Sequence, residues 1–259
     1  MTKSTTESDI SSLVAELKRD VSGEVRADKM TRLLYSTDAS MYQIEPIGVV
    51  IPRHLDDVQS CIRLGNEYQV PVLPRGGGTG LAGQSVGRAV VMDMSKYMNT
   101  ILELNVEEGW VRVQPGVVLD ELNAYLKPHG LQFAPDVATS SRANIGGMIA
   151  NNSAGAHSVV YGKTIDHVLD LNLVLADGTE AVFREMGKEA VQQKVEQKDL
   201  EGQIYREVVR LARVHREEIA RCYPKILRRV GGYNLDAFTG DQPFNMCRMV
   251  VGSEGTLAT

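Results

Sequence analysis

The sequence predicts an α+β fold that mixes parallel and antiparallel strand pairing. Three observations predict it. Residues 49–78, VVIPRHLDDVQSCIRLGNEYQVPVLPRGGG, read strand, helix, strand, the pattern of a βαβ unit with a parallel pair implied. ILELNVEEGWVRVQPG (101–116) and HVLDLNLVLADGTEAVFRE (167–185) alternate about short turns as β-hairpins do. Helical periodicity recurs between these strands.

The elements follow in order. Ile10, Leu13, Val14 and Leu17 fall on one face of a helix over 9–20, behind Ser and Asp capping candidates. Val49–Ile51 is a short strand, and Val58, Ile62 and Leu64 mark a helix face. A second strand over Val70–Leu73 ends at the glycines, and AVVMDMS (89–95) is a third. The first hairpin turns at Glu107-Glu108-Gly109, and LDELNAYLKPHG (119–130) is an amphipathic helix stopped by Pro128 and Gly130. Residues 133–162 have no periodicity and read as thirty residues of loop. The second hairpin turns at Asp177-Gly178, residues 203–222 form a charged helix, and MCRMVV (246–251) reads as a buried strand. GSEGTLAT then reads as a turn entering a fresh strand, so a longer protein is expected, cut before its next domain.

Composition narrows the function classes. A chain of 259 residues with 43% hydrophobic and 24% charged residues holds a sizeable core. A net charge of −5 gives no electrostatic reason for nucleic acid or an anionic membrane surface. Cys61, Cys222 and Cys247 are too far apart for a zinc or iron–sulfur site within this stretch. They fit a reducing compartment, so the expected location is the cytoplasm, or the periphery of a membrane. The amino terminus lacks an apolar signal core, and no apolar run reaches membrane-spanning length. His54, His129, His157, His167 and His215 are scattered without ligand spacing, so no metal ligand is named.

PRGGGTGLAGQS (74–85) holds five glycines in twelve residues. Gly78-Thr-Gly80-Leu-Ala-Gly83 spells the dinucleotide fingerprint, and Gly78 to Ser85 spells a phosphate loop with Gln84 in place of lysine. Both motifs need a helix directly after the glycines. QSVGR leads instead into the strand AVVMD, so both readings fail. What survives is a strand-to-loop turn with adjacent backbone amides and Arg75 beside them, a concavity able to hold an anion. A tight glycine turn with no ligand is the competing reading.

A second cluster, FAPDVATSSRANIGGMIANNSAGAHSVVYG (133–162), and a third, GSEGTL (252–257), repeat the theme. In this order, with V-x-A-D-G-T (174–179) between them, the clusters resemble the FAD-binding half of the vanillyl-alcohol oxidase/p-cresol methylhydroxylase flavoproteins. The likeness runs from Tyr35 to the last residue and is greatest to the glycolate oxidase, D-lactate dehydrogenase and D-2-hydroxyglutarate dehydrogenase branch. KILRRVGGYNLDAF (225–238) resembles members that continue into an iron–sulfur domain, which places any such cluster beyond this chain.

The resemblance implies two α/β subdomains of the PCMH-type FAD-binding fold, over 35–105 and 106–259, behind an N-terminal helical segment over 1–34. It implies FAD held without a covalent bond, since Thr79 stands where covalently flavinylated members carry histidine. Pro74, Arg75, Gly76, Gly77, Gly78, Thr79 and Gly80 would cradle the pyrophosphate, with Gln84 and Ser85 following along the cofactor. Pro135, Asp136, Ser140, Gly146, Gly147, Asn152, Ser153 and Gly155 would line the ribityl and isoalloxazine side, and Gly252, Glu254 and Gly255 would close over the adenosine end or the loop beside it. The implied activity is oxidation of a small D-2-hydroxy acid by hydride transfer to flavin N5, with an unidentified electron acceptor. Its catalytic base and metal ligands are expected after residue 259, which would leave residues 1–259 inactive by themselves. A stand-alone FAD-binding module and a sugar or alditol oxidase of the same fold are the alternatives.

Overall fold

The computed structural model describes residues 6–240 and 242–259. They divide into two compact units. The first runs to Phe133 and includes Ala138–Gly147; the second comprises Ala134–Val137 and Met148–Thr259.

The first unit starts with helix α1 (Glu7–Asp20), whose first turn is closed by a capping box. There the Asp9 amide donates to the Thr6 hydroxyl at 3.2 Å, and the Thr6 amide to the Asp9 carboxylate at 2.9 Å. Leu13 and Leu17 bury its inner face. Strand β1 (Glu24–Arg26) and helix α2 (Lys29–Leu34), neither of which has a readable period, come next. Strands β2 (Gly48–Ile51), β3 (Val72–Arg75) and β4 (Val90–Asp93) complete a four-stranded sheet of order β1-β2-β4-β3. β2 and β3 both run parallel to β4, and β1 pairs antiparallel with β2. The expected parallel pair is therefore split, because β4 inserts between its members. Every residue of β2 and β4 is buried, as central parallel strands covered on both faces require. β3, expected from Val70, begins two residues later and reaches Arg75.

Helix α3 (Leu55–Glu67) is anchored by Asp57, which is only 2% exposed. Its carboxylate accepts from the amides of Ser22 (2.7 Å), Arg53 (2.8 Å) and His54 (3.4 Å), and from the Ser22 hydroxyl (3.0 Å). Burial works against ionisation here, but these donors outweigh it and hold the carboxyl below the usual carboxylate range. A depressed folded-state pKa gives stability that is complete above the unfolded value of about 3.9 and disappears as pH falls through the folded value. Asp57→Ala is expected to cost about 2–3 kcal/mol at neutral pH, because it removes the shared acceptor of four hydrogen bonds. Urea melts from pH 6 to pH 2 should show wild type converging on the variant below about pH 4. A constant gap across that range would assign the loss to packing.

The first hairpin forms as expected from β5 (Ile101–Asn105) and β6 (Trp110–Val113), with Gly109 at φ +71° in its turn. Helix α4 (Leu119–Leu126) passes into a 3₁₀ turn that Gly130 ends at φ +70°.

The stretch 133–162 corrects the loop expectation. It contains helices α5 (Ile145–Asn151) and α6 (Ser158–Tyr161), and the unit boundary falls within α5. Gly146 and Gly147 hid α5 by lowering its apparent helix propensity.

In the second unit β7 (Asp170–Val174) and β8 (Glu180–Met186) form the expected hairpin, with Gly178 at φ +85° and the Thr179 amide donating to Asp177 at 2.9 Å. Helix α7 (Lys188–Glu196), absent from the sequence reading, follows. The expected helix over 203–222 is two helices, α8 (Leu200–Val214) and α9 (Arg216–Cys222), broken at His215. Tyr205 and Val208 of α8 pack with Phe183 and Met246 in the core. Residues 246–251 are not a strand: the pairing with β8 here comes from Phe244–Asn245 (β9), and Cys247–Val250 is helix α10. A short apolar run does not distinguish a buried strand from one turn of buried helix. Thr259 exchanges both backbone hydrogen bonds with Val174, at 2.8 and 3.0 Å. All three cysteines are free, and burial pushes the Cys61 and Cys247 thiols up to about 12. Among the described residues no helix is long and apolar enough to cross a membrane.

Candidate functional site

The glycine loop leaves the sheet at the end of β3, directly after Pro74 and Arg75. Its glycines are there partly because the backbone is crowded. A Cβ on Gly77 would stand 2.3 Å from the Arg142 carbonyl oxygen, and one on Gly76 would stand 2.8 Å from Asn144 Oδ1. Gly78 takes φ +64°, and its Cα lies against the Arg75 guanidinium. No helix follows Gly83, so the failed Rossmann and phosphate-loop readings stay failed.

Arg75 holds the loop from behind. Nη1 donates to the carbonyls of Tyr35 and Ser85, both at 3.2 Å, and Nη2 donates to that of Thr37 at 2.8 Å. Its charge lies 5.3 Å from the centroid of the Tyr35 ring. Tyr35 is in turn fixed by its hydroxyl, which donates to Asp93 at 2.5 Å. Burial, followed by that neighbouring carboxylate, pushes the Tyr35 phenol upward and keeps it protonated. The Ser85 hydroxyl is committed to Asp38 at 2.8 Å. Among the described hydrogen bonds, none is donated by the amides of Gly76, Gly77, Gly78, Thr79 or Gly80. Five successive N–H groups in front of a half-buried cation form a donor set that suits an anion of more than one phosphate.

Ser140, Gly146 and Gly147 also belong to the first unit. The Ser140 carbonyl accepts from the Asp120 amide at 3.2 Å, and the Gly146 amide donates to Pro115 at 2.9 Å. A Cβ on Gly146 would press on Pro115 at 2.6 Å, whereas one on Gly147 meets nothing within 4 Å. Gly147 is the bare position that faces open space.

The remaining predicted residues lie in the second unit, around the C-terminal end of α5. Gly252, Glu254 and Gly255 all take positive φ, at +87°, +53° and +76°. The amides of Gly252 and Glu254 cap the helix by donating to the carbonyls of Ile149 (3.0 Å) and Ala150 (2.9 Å). Asn152, 1% exposed at φ +48°, accepts the Ile165 amide on its side-chain oxygen at 3.1 Å. The Ser153 carbonyl accepts both the amide and the hydroxyl of Thr164, at 3.0 and 2.8 Å. These groups therefore have internal partners.

Pro135 is buried, and Asp136 binds His157 twice, through the amide at 3.1 Å and ring Nδ1 at 2.5 Å. Burial alone would raise the Asp136 carboxyl, but these two bonds hold it below the usual range. Gly155 allows this arrangement by bringing its Cα against Asp136.

The sequence reading did not assign Asp38, Arg142 or Asn144 to the loop's surroundings. Asn144, 3% exposed, donates to the Gly116 carbonyl at 2.7 Å, while its Oδ1 is buried beneath Gly76 with no partner. No periodicity could have signalled these residues, because they act as single side chains from separate turns.

The FAD binding domain family matches residues 46–183. The D-2-hydroxyglutarate dehydrogenase of Pantoea ananatis is 45% identical over 241 residues, covering 91% of this chain and 24% of that protein. That of Escherichia coli K12 is 42% identical with the same coverage, and the glycolate oxidase subunit GlcD of Bacillus subtilis is 38% identical over 61% of this chain and 33% of that protein. The chain thus spans about a quarter of the length of the dehydrogenases it matches. Among solved structures, p-cresol methylhydroxylase with substrate bound superposes with a TM-score of 0.61 at 20% identity, over 70% of this chain and 36% of that one, which shows the shared fold.

Proposed function

Because the chain belongs to the FAD binding domain family, we propose that it is the flavin-binding part of a dehydrogenase oxidising a D-2-hydroxy acid of the 2-hydroxyglutarate, lactate or glycolate type. The single observation that carries the cofactor assignment is the run of five unengaged amides from Gly76 to Gly80 in front of Arg75. That donor set fits a diphosphate: it supplies directed hydrogen bonds without a titrating group, and the fixed guanidinium supplies the charge behind them. The substrate class is supported by the names of the relatives at 40–45% identity, all D-2-hydroxyglutarate dehydrogenases.

The chemistry FAD supplies when bound is acceptance of a hydride at N5 from the carbon bearing the hydroxyl. The chain's own residues would bind and orient it. Gly76 to Gly80 would donate to the pyrophosphate, and Gly147 would leave room for the ligand on the ribityl and isoalloxazine side. In the second unit Asp136 and His157 hold each other. Gly252 and Glu254 cap the α5 end beside Asn152 and Ser153. Thr79 has no imidazole to alkylate, so the flavin would be held without a covalent bond.

The purified protein should show flavin absorption bands, and acid precipitation should send all the colour into the supernatant as FAD. Colour kept in the pellet, FMN alone in the supernatant, or a protein that takes up no flavin each count against the proposal. Dye reduction by the whole gene product with D-2-hydroxyglutarate, D-lactate and glycolate separates the substrates.

A further inference from the structure

The segment from Tyr35 to Ile44 is fastened along the glycine loop. Arg75 donates to the carbonyls of Tyr35 and Thr37, the Ala39 amide donates to the Gly78 carbonyl at 3.0 Å, and the Ser85 hydroxyl donates to Asp38. Within the segment Thr37 pairs with Gln43, the Ile44 amide donates to Ser36 at 2.8 Å, and the Ser40 and Tyr42 amides donate to the side chains of Asp38 (2.8 Å) and Ser40 (3.1 Å). These bonds produce a short, rigid turn whose tip is apolar and open to solvent. Met41 is 90% exposed, Tyr42 51%, and Leu81, across on the glycine loop, 79%.

Tyr42 does not hang free. Gly83 sits at φ +80°, and a Cβ there would stand 2.5 Å from Cδ2, 3.1 Å from Cε2 and 3.3 Å from Cγ of the Tyr42 ring. The ring thus rests on a bare Cα and keeps about half of its surface open, three residues beyond the end of the amide run. A phosphate cradle beside a fixed aromatic surface is the pairing that recognises a phosphate joined to a planar heterocycle.

We propose that Tyr42 is a stacking platform for one of the two planar rings of FAD, flanked by Met41 and Leu81. The proposal rests on the FAD reading given above and extends it to a residue outside the glycine clusters. Both the adenine and the isoalloxazine offer the required π-face, and simpler ligands tell them apart.

The experiment titrates wild type, Tyr42→Ala and Tyr42→Phe with FAD, FMN and ADP by fluorescence or calorimetry. Tyr42→Ala is expected to weaken FAD about tenfold, and Tyr42→Phe to match wild type. A parallel loss for FMN with ADP unchanged identifies the isoalloxazine, and the reverse identifies the adenine; either supports the platform. Unchanged FAD affinity in Tyr42→Ala overturns it, as does a loss in Tyr42→Phe equal to that in Tyr42→Ala. If Tyr42→Ala melts early, Tyr42→Leu takes its place, since it keeps the contact with Gly83 but not the planar face. A wild type that binds no FAD removes the proposed function and the platform together, whereas a FAD-binding protein indifferent to position 42 removes the platform alone.

Discussion

Thr79→Asp is expected to weaken FAD binding at least a hundredfold while leaving the melting temperature of the flavin-free protein within about 2 °C of wild type. Thr79 is half-buried in the middle of the open amide run, and no described hydrogen bond uses its hydroxyl or its amide. The fold therefore asks little of its side chain. In the proposed binding mode a carboxylate at that point would face the phosphates and turn a donor surface into a repulsive one. Loss of two charge-assisted hydrogen bonds at about 1.5–3 kcal/mol each gives the hundredfold figure before the repulsion is counted. Thr79→Val, nearly isosteric and neutral, should bind within a few-fold of wild type. Equal affinities for the aspartate and valine variants would mean that the pyrophosphate lies elsewhere.

Gly78 looks like the more obvious target from the sequence, since its substitution should abolish FAD binding and spare the fold. The structure changes that expectation. At φ +64°, with a Cβ placed 2.7 Å from Arg75 Nη2, any side chain at 78 is strained and disturbs the guanidinium that ties Tyr35, Thr37 and Ser85 together. A Gly78→Val variant would confound stability with binding. Thr79 separates them.

The same contrast explains what could be read from the sequence. Strands β2 and β4 were legible because burial on both faces writes a continuous apolar run. Both hairpins were legible because Gly109 and Gly178 mark turns at positive φ that other residues resist. The strand order was not: the insertion of β4 between β2 and β3 is set by long-range pairing, which leaves no local period. α5 and α10 were missed for opposite reasons, the first because its glycines disguise a helix, the second because so short a mainly apolar run suits either state. For the site, glycine clustering located the loops but could not tell a glycine kept for the ligand from one kept for the chain. Gly77, Gly146 and Gly155 are needed by neighbouring atoms of the protein, and Gly147 is not.

Gly155→Ala is the largest stability loss expected, roughly 2–4 kcal/mol. Its Cβ would stand 1.9 Å from the Asp136 carbonyl oxygen and 2.0 Å from Oδ1, separations no folded protein sustains. The obstacle is backbone as well as side chain, so rotating Asp136 does not relieve it. Either residues 134–137 move away, breaking the two bonds from His157 to Asp136, or the 153–157 turn moves and breaks the 2.7 Å bond from the Gly155 amide to the Ser158 hydroxyl. Each route leaves polar groups without partners in a crowded place. Gly147→Ala is the matched control: its Cβ enters open space inside a helix, where alanine is preferred to glycine by about 0.5–1 kcal/mol. Urea unfolding of the flavin-free proteins should place Gly155→Ala well below wild type and Gly147→Ala level with or above it. FAD titration should invert the severity at 147, because in the proposed binding mode a methyl group there would crowd the ligand and cost affinity without costing stability. If Gly155→Ala unfolds at the wild-type urea concentration, the clamp between Asp136 and His157 is not part of the folded structure.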